Sequence, residues 1–138
     1  MLQPKKRKYR KEFRGRRTGL SFRGSTLAFG EFGIKALEEA WMTAAQIEAI
    51  RRTVTGNLKR KGRVWLRVFP DKPVTSRAAG QRMGSGKGDI DRYVCVVKPG
   101  RIVLEVAGVP EETAKIALKE AGYKLPFKSR IVGKGEIV

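Results

Sequence analysis

Glycines and cations crowd residues 77–88 (RAAGQRMGSGKG), the segment of the chain whose composition best suits a chemical task. Glycine lets a backbone approach another surface closely, and arginine and lysine bind anionic groups such as phosphate. About twenty irregular residues between two strands are uncommon in a compact domain unless they have a function. We interpret residues 77–88, called the glycine loop below, as a finger that contacts RNA. Its candidate contacts are Arg77, Arg82, Met83, Gly84, Ser85, Gly86, Lys87 and Gly88.

A nucleotide-binding loop is the obvious alternative for so many glycines, but the spacing argues against it. A P-loop needs a glycine, four residues, and then glycine, lysine and a hydroxyl residue. Gln81 stands at the position of the first glycine, and Gly88 stands where the hydroxyl belongs. The dinucleotide fingerprint fails as well, because Gly84 and Gly86 are not followed by a glycine at the required step.

Residues for acid–base or metal chemistry are scarce in this chain. It has no histidine and a single cysteine, Cys95, which lies in an apolar stretch where a cysteine is usually a small buried hydrophobe. Asp89 and Asp91 leave open a Mg²⁺-dependent hydrolase or nuclease, although their alternation into a strand predicts that both are solvated. We expect no enzyme, no cofactor, no metal and no small-molecule substrate.

Charge dominates the composition. Among 138 residues, 31 Lys and Arg face 13 Asp and Glu, which gives a net charge of +18 and a pI near 10.7. A polyanionic partner is the simplest explanation of such self-repulsion, and the chain has neither the roughly 20-residue apolar run of a membrane span nor a signal peptide. We expect a nucleic-acid-bound protein of the cytoplasm or of an organelle that encodes it. A general basic RNA- or DNA-binding protein, including a DNA-compacting one, is the alternative.

The N-terminal stretch, residues 1–24, is predicted to be a basic arm without a core of its own. Such a segment is expected to be disordered when free and to order on RNA by pairing cations with phosphates and stacking rings on bases. A nonspecific solubilising or localisation tail is the alternative. The candidate RNA contacts are Lys5, Lys6, Arg7, Lys8, Tyr9, Arg10, Lys11, Arg14, Arg16, Arg17 and Arg23.

Two helices are predicted beyond the arm. Thr43 and Gln46 form a capping box, and the apolar stripe that follows ends before Gly62, which is placed as the residue after the helix. The members of that stripe are Ile47, Ile50, Val54 and Leu58. A second helix begins at Pro110 and ends at Gly122. Its buried stripe is Ala114, Ala117, Leu118 and Ala121.

The first helix also carries cations on its outer face. Glu48 can pair with Arg52 one turn later, but five cations against one acid exceed what helix stability requires. We therefore predict weaker RNA contacts here and at one lysine of a nearby turn. These residues are Arg51, Arg52, Lys59, Arg60, Lys61 and Lys72.

Several stretches alternate apolar and polar residues as strands do. Residues 26–37 contain glycines that break the pattern into two short strands, and residues 63–69 form the next. A turn at residues 70–73 leads into irregular chain up to Gly88. Residues 98–101 (KPGR) have the proline and glycine of a type II turn, which predicts a hairpin between residues 93–97 and 102–107.

A last strand is predicted at residues 124–132, at a sheet edge because of Pro126. The fold class is therefore α+β, with two helices packed on one face of a mainly antiparallel sheet, a basic N-terminal extension and a long Gly-rich loop. The predicted domains are the arm (1–24), a single RNA-binding domain (25–133) and a short tail (134–138).

Several motifs of this chain occur together, in the same order, in one known family. They are residues 1–5 (MLQPK), 43–49 (TAAQIEA), 69–73 (FPDKP), 82–88 (RMGSGKG), 108–112 (GVPEE) and 124–126 (KLP). The chain thereby resembles, over nearly its whole length, the bacterial large-subunit ribosomal protein L-sixteen family.

The resemblance implies a structural constituent of the large ribosomal subunit, beside other large-subunit proteins. It implies binding to 23S-type rRNA near the A site and the peptidyl transferase region, contact with the A-site tRNA, and an extension of that contact to the P-site tRNA. The basic arm and residues 82–88 would be the parts that reach RNA and tRNA, with Arg51 and Arg52 as weaker candidates.

Overall fold

The computed structural model describes residues 2–15, 18–77, 80, 84 and 86–134. The strands are β1 (Phe32–Ala36), β2 (Ala40–Thr43), β3 (Arg63–Leu66), β4 (Lys72–Ser76), β5 (Asp89–Val97), β6 (Ile102–Ala107) and β7 (Ser129–Gly133), and the helices are α1 (Ala44–Asn57) and α2 (Glu111–Gly122). All strand pairs are antiparallel, so the predicted α+β class is confirmed. The prediction of one sheet is wrong, because the described strands form two, in the orders β3-β6-β1-β7 and β2-β5-β4.

Helix α1 begins where its capping box predicted. The Thr43 hydroxyl accepts the Gln46 backbone N–H at 3.2 Å, and the Gln46 side chain accepts the Thr43 N–H at 2.9 Å. Its predicted stripe is buried in the core that α1 shares with α2 and with β1 and β6. Residues of that stripe are Ile47, Ile50, Val54 and Leu58.

The predicted end of α1 is wrong. The helix ends at Asn57, and Lys59 and Arg60 then adopt left-handed backbone with φ of 53° and 61°. Gly62 has a different role, because a Cβ on it would lie 2.4 Å from the Ala107 carbonyl oxygen of β6. The glycine is therefore required by a neighbouring strand rather than by the helix end.

Helix α2 matches its prediction to within one residue. Pro110 is the N-cap, and Glu111 and Glu112 stand in the first turn, where acids oppose the helix dipole favourably. The helix ends at Gly122. Its predicted apolar stripe is buried, at Ala114, Ala117, Leu118 and Ala121.

The predicted hairpin between residues 93–97 and 102–107 is wrong, although its turn is present. Gly100 has a φ of +97°, and the Arg101 N–H donates to the Lys98 carbonyl at 3.2 Å. However, Ala36 at the end of β1 exchanges backbone hydrogen bonds with Gly100 and Arg101, each of 2.8 Å. Strand β1 therefore occupies the position beside β6 that the hairpin prediction gave to β5. The turn connects β5 in the three-stranded sheet to β6 in the four-stranded sheet.

The first of the two strands predicted within residues 26–37 is absent. The backbone N–H groups of Ala28, Phe29 and Gly30 all donate to one oxygen of Glu105, each at 3.0 Å. Successive N–H groups that converge on one anion form a concave nest, whereas those of a strand point alternately to its two sides. A buried carboxylate thus sets this backbone.

Other strands shift relative to the predictions. The segment expected to be irregular after the turn begins with β4, and β2 precedes α1 without having been predicted. Strand β3 is shorter than residues 63–69, although the Arg67 N–H still donates to the Val103 carbonyl at 2.9 Å. The last strand begins only after Pro126, at Ser129, and lies at the sheet edge as predicted.

The described part of the arm contains no helix or strand. Its end is nevertheless attached to the body, because the Ser21 N–H donates to the Pro99 carbonyl at 2.9 Å and the Gly24 carbonyl accepts the Ile102 N–H at 2.7 Å. The domain boundaries at residues 24 and 133 stay predictions. Among the described residues, no helix is both long and apolar enough to cross a membrane.

Candidate nucleic-acid interface

The two ends of the glycine loop are held together by a strand pair. Ser76 of β4 pairs with Asp89 of β5, so the loop leaves and re-enters the three-stranded sheet at one point. Gly88 is required there, because a Cβ on it would lie 2.5 Å from the Ser76 carbonyl oxygen. The Gly88 backbone therefore packs closely against β4, and its contact with RNA stays a prediction.

Within the loop, Arg77 organises the backbone. Its guanidinium donates to the Gly84 carbonyl and, at 2.5 Å, to the Gly86 carbonyl. Both glycines have positive φ, of +108° and +93°, and face open space. Arg77 is therefore used at least partly for internal support. The predicted contacts Arg82, Met83 and Ser85, like Arg16 and Arg17 of the arm, lie outside the described residues.

The arm lies against the end of the glycine loop. The Lys87 ammonium donates to the Glu12 carbonyl and lies 5.6 Å from the centre of the Phe13 ring. In the opposite direction, the Lys11 ammonium donates to the Lys87 carbonyl at 3.2 Å. Two segments that are far apart in sequence, both predicted to bind RNA, thus meet at one place.

A second pair of contacts ties the arm to the start of β4. The Lys72 ammonium donates to the Arg14 carbonyl at 2.7 Å and lies 5.5 Å from the centre of the Trp41 ring. Arg7 donates to the Asp71 carbonyl and pairs with Glu12. We call the described residues 5–14, 72 and 87 the arm–loop surface.

This surface is cationic and carries exposed rings. Tyr9 and Phe13 are 67% and 90% exposed, the latter value being more than a packed phenylalanine shows. The exposed predicted cations on this surface are Lys5, Lys6, Lys8, Arg10, Arg14 and Lys87, and Arg23 is exposed nearer the end of the arm. Charge next to exposed rings suits single-stranded RNA, whose phosphates and unstacked bases need both.

The outer face of α1 is a separate basic region, in which an acid, Glu48, pairs with two of the cations. Arg51 donates to Glu48 through both ends of its guanidinium fork, with Nε at 3.0 Å, and Arg52 Nε donates at 3.2 Å. The predicted Glu48–Arg52 pair is confirmed, but Arg51 is the stronger partner. Its hydrogen bonds lower the pKa of Glu48 from 4.5 to about 2, and the same pairing raises the pKa of Arg51. Lys59, Arg60 and Lys61 are exposed beyond the end of this helix.

A buried ion pair was not predicted as part of any site. Glu105 is fully buried, and its second oxygen accepts Arg67 NH1 at 2.9 Å. The same guanidinium donates to the Thr26 carbonyl at 2.7 Å and lies over the Phe29 ring. We call residues 24–31, which this pair holds on the sheet, the strap. The sequence signal that could have indicated this pair is Glu105 itself, a single acid within the apolar strand β6.

The remaining candidates for chemistry are inert in their settings. Asp89 and Asp91 are exposed, as predicted, and Asp91 pairs with Arg92 at 3.1 Å. Burial raises the pKa of the Cys95 thiol, which favours the unreactive protonated form. Across the described ranges, no three carboxylate, cysteine or histidine residues are grouped to hold a metal ion.

Fold and charge together define a basic α+β protein whose cations are displayed on two surfaces. The sequence profile of the family described as "Ribosomal protein L16p/L10e" matches residues 4–132. "Large ribosomal subunit protein uL16c" of Phaeodactylum tricornutum is 56% identical over 137 residues, which cover 99% of each chain. The protein of that name in Gracilaria tenuistipitata is 53% identical over 134 residues, covering 97% of this chain and 99% of its own.

The chain belongs to the ribosomal protein L16p/L10e family. It is a structural constituent of the large ribosomal subunit, where it acts in translation, and it is not an enzyme. Its partners are rRNA and other ribosomal proteins. The family expected from the sequence motifs is thereby confirmed, and the hydrolase alternative built on Asp89 and Asp91 is excluded.

Proposed function

We propose that the arm–loop surface binds large-subunit rRNA near the A site, and that the glycine loop beyond it contacts the tRNA in the A site and extends towards the P-site tRNA. Family membership supports an rRNA partner, and the geometry suggests which surface meets it. The main observation in support of this proposal is the junction at Lys87, where the arm and the loop join into one cationic surface.

The contacts at this junction suit a surface that exchanges partners. The ammonium groups of Lys72 and Lys87 donate to backbone carbonyls of the arm rather than to carboxylates. A phosphate oxygen is a charged acceptor and forms a stronger bond to an ammonium group than a neutral carbonyl does. RNA can therefore replace these contacts while the strand pair below keeps the loop in place.

The rRNA proposal predicts a steep salt dependence that single lysines control. Each phosphate neutralised contributes about 0.7 to 0.9 to the slope of log affinity against log salt concentration. Lys87→Ala should lower this slope by about one such contribution for an rRNA fragment from the A-site region. The matched control is Lys119→Ala on α2, which also removes an exposed charge but lies away from the arm–loop surface. Equal slopes for both variants, or binding indifferent to salt, would contradict the assignment of this surface.

The tRNA proposal needs a separate measurement. Large subunits assembled with the variants Arg82→Ala and Lys87→Ala should bind A-site tRNA more weakly than subunits with the unchanged protein, while the isolated variants melt normally. Unchanged A-site binding in fully assembled subunits would refute this part. Equal affinity of the free protein for duplex DNA and for structured rRNA would favour the general nucleic-acid-binding alternative instead.

A further inference from the structure

Helix α2 differs in charge from the chain as a whole. Its 12 residues contain three acids, Glu111, Glu112 and Glu120, against two lysines, Lys115 and Lys119, so the helix has a net charge of −1 in a chain of +18. The helix packs on α1 and on β1 and β7 of the four-stranded sheet, whereas the glycine loop leaves the three-stranded sheet. An excess of acids repels phosphate, so α2 is poorly suited to RNA.

Two large apolar side chains are exposed on the solvent side of α2. Ile116 is 60% exposed, and Tyr123, the C-cap residue, is 69% exposed. They are seven residues apart, which places them on one face of the helix, about 10 Å from each other and opposite the buried stripe. Neither packs in the core, and isoleucine is a weaker helix former than alanine, leucine or lysine. The fold of the isolated chain therefore does not account for Ile116.

Two carboxylates border this apolar pair. Glu112 and Glu120 lie four residues before and four residues after Ile116, so all three share a face of the helix. In the described part of the chain neither acid forms an ion pair, whereas Glu111 pairs with Lys115 at 2.8 Å. Glu120 also lies in the last turn, where the helix dipole disfavours an acid. Helix stability therefore does not explain Glu120.

We propose that this side of α2 docks a cationic segment of another protein of the large subunit. We call it the α2 face, and its residues are Glu112, Ile116, Lys119, Glu120 and Tyr123. Membership of the family gives the chain such proteins as partners. An arginine of the partner lays its aliphatic stem on Ile116 and pairs with Glu112 or Glu120, and a second cation lies over the ring of Tyr123.

The charges decide between a protein and RNA as the occupant. The α2 face has two acids against one lysine, so a phosphate backbone would meet more repulsion than attraction. A cationic protein segment supplies both the charge that Glu112 and Glu120 need and the apolar contact that Ile116 needs. Exposed tyrosine is also typical of protein–protein interfaces. The inference rests on membership of the large subunit and not on the arm–loop surface, so the two proposals can fail separately.

Photo-cross-linking within assembled large subunits tests which molecule meets the α2 face. A chain with p-benzoylphenylalanine in place of Ile116 should form an adduct with another ribosomal protein, at a segment that contains arginine or lysine. The exposed position accommodates the larger side chain. The matched position is Phe13 of the arm–loop surface, which is also exposed and where the same replacement should link the chain to rRNA.

Charge reversal gives opposite expectations for the two occupants. Glu112→Lys combined with Glu120→Lys should reduce incorporation into large subunits on the order of tenfold when variant and unchanged chains compete during assembly, because like charges then face each other. Against RNA, the same change would increase incorporation. The matched control is Glu31→Lys combined with Glu39→Lys, which changes the net charge equally at exposed acids outside α2 and should not reduce incorporation.

A second double variant tests the apolar contact without adding charge. Ile116→Ala combined with Tyr123→Ala should also reduce incorporation, while the free variant melts at the temperature of the unchanged chain, because both side chains are exposed. This variant keeps the proposal testable if the charge-reversed chain folds poorly.

The outcomes separate this inference from the proposed function. An adduct of rRNA at position 116, an adduct within the chain itself, or no adduct overturns the docking face. So does an adduct with a protein segment that lacks arginine and lysine. Incorporation of the charge-reversed chain equal to that of its control overturns it as well. A protein adduct at position 116 together with no RNA adduct at Phe13 would leave the docking face in place and contradict the proposed arm–loop surface alone.

Discussion

Two parts of the N-terminal chain lie on the body of the protein by different means. The strap is held from below by Glu105, a buried carboxylate whose two oxygens are both satisfied by hydrogen bonds. The arm is held by Lys72 and Lys87, whose ammonium groups donate to its carbonyls at the surface. A buried charge whose hydrogen bonds are all made fixes the backbone that it contacts. Exposed cations bind a backbone weakly, and a phosphate, which is a stronger acceptor than a carbonyl, can displace it.

The largest effect is expected where the buried carboxylate is removed. Glu105→Ala should lower the free energy of unfolding by about 3–5 kcal/mol, because it leaves Arg67 and the three N–H groups of the strap without their acceptor. Glu38→Ala is the control, since Glu38 accepts one exposed N–H, from Lys128, at 2.8 Å. Chemical denaturation measures both. A loss below about 1 kcal/mol for Glu105→Ala would mean that the strap is not held by the ion pair.

A much smaller effect is expected when the anchors of the arm are removed. The double variant Lys72→Ala and Lys87→Ala should change the free energy of unfolding by less than about 1 kcal/mol, because both contacts are at the surface. Chymotrypsin should nevertheless cut the arm faster at Tyr9 and Phe13, since these cleavage sites are unchanged while the contacts of the arm with Lys72 and Lys87 are lost. The strap, whose chymotrypsin sites include Phe29, should stay resistant. Cleavage of arm and strap at equal rates would remove the distinction between them.

The smallest effect concerns Glu48, the partly exposed acid on α1. The pKa of Glu48 is about 2 in the folded chain, below its ordinary 4.5, so its ion pairs contribute fully above pH 4.5 and are lost as the pH falls towards 2. Thermal melting of the unchanged protein should therefore fall slightly more over this window than that of Glu48→Gln. Superimposable pH profiles of the two proteins would show that Arg51 and Arg52 do not hold this carboxylate in solution.

Local signals were sufficient for the helices. A capping box and an apolar stripe are interactions within one helix and its immediate face, so Thr43 and Ala114 could be assigned from spacing alone. The end of α1 could not, because Lys59 and Arg60 close the helix with left-handed backbone that residue type does not predict. Gly62 was misassigned because the atom that requires it, the Ala107 carbonyl oxygen, belongs to a distant strand.

The candidate sites also divide into features that local sequence predicts and features that depend on contacts between distant residues. Composition was enough to predict the basic arm and the glycine loop as candidate surfaces for an anionic partner. It could not show that Lys87 joins them, because that contact spans 75 residues of sequence. The buried pair of Glu105 and Arg67 was missed, since burial depends on which elements cover a strand.

By itself, the sequence determined the charge, the α+β class, the two helices and the family, because these depend on residue types and on short spacings. Only the tertiary structure decided that β5 and β6 separate into two sheets, since the end of β1 competes for the backbone at the turn. It also decided where the cations gather, because positions far apart in the chain become neighbours only when the core closes.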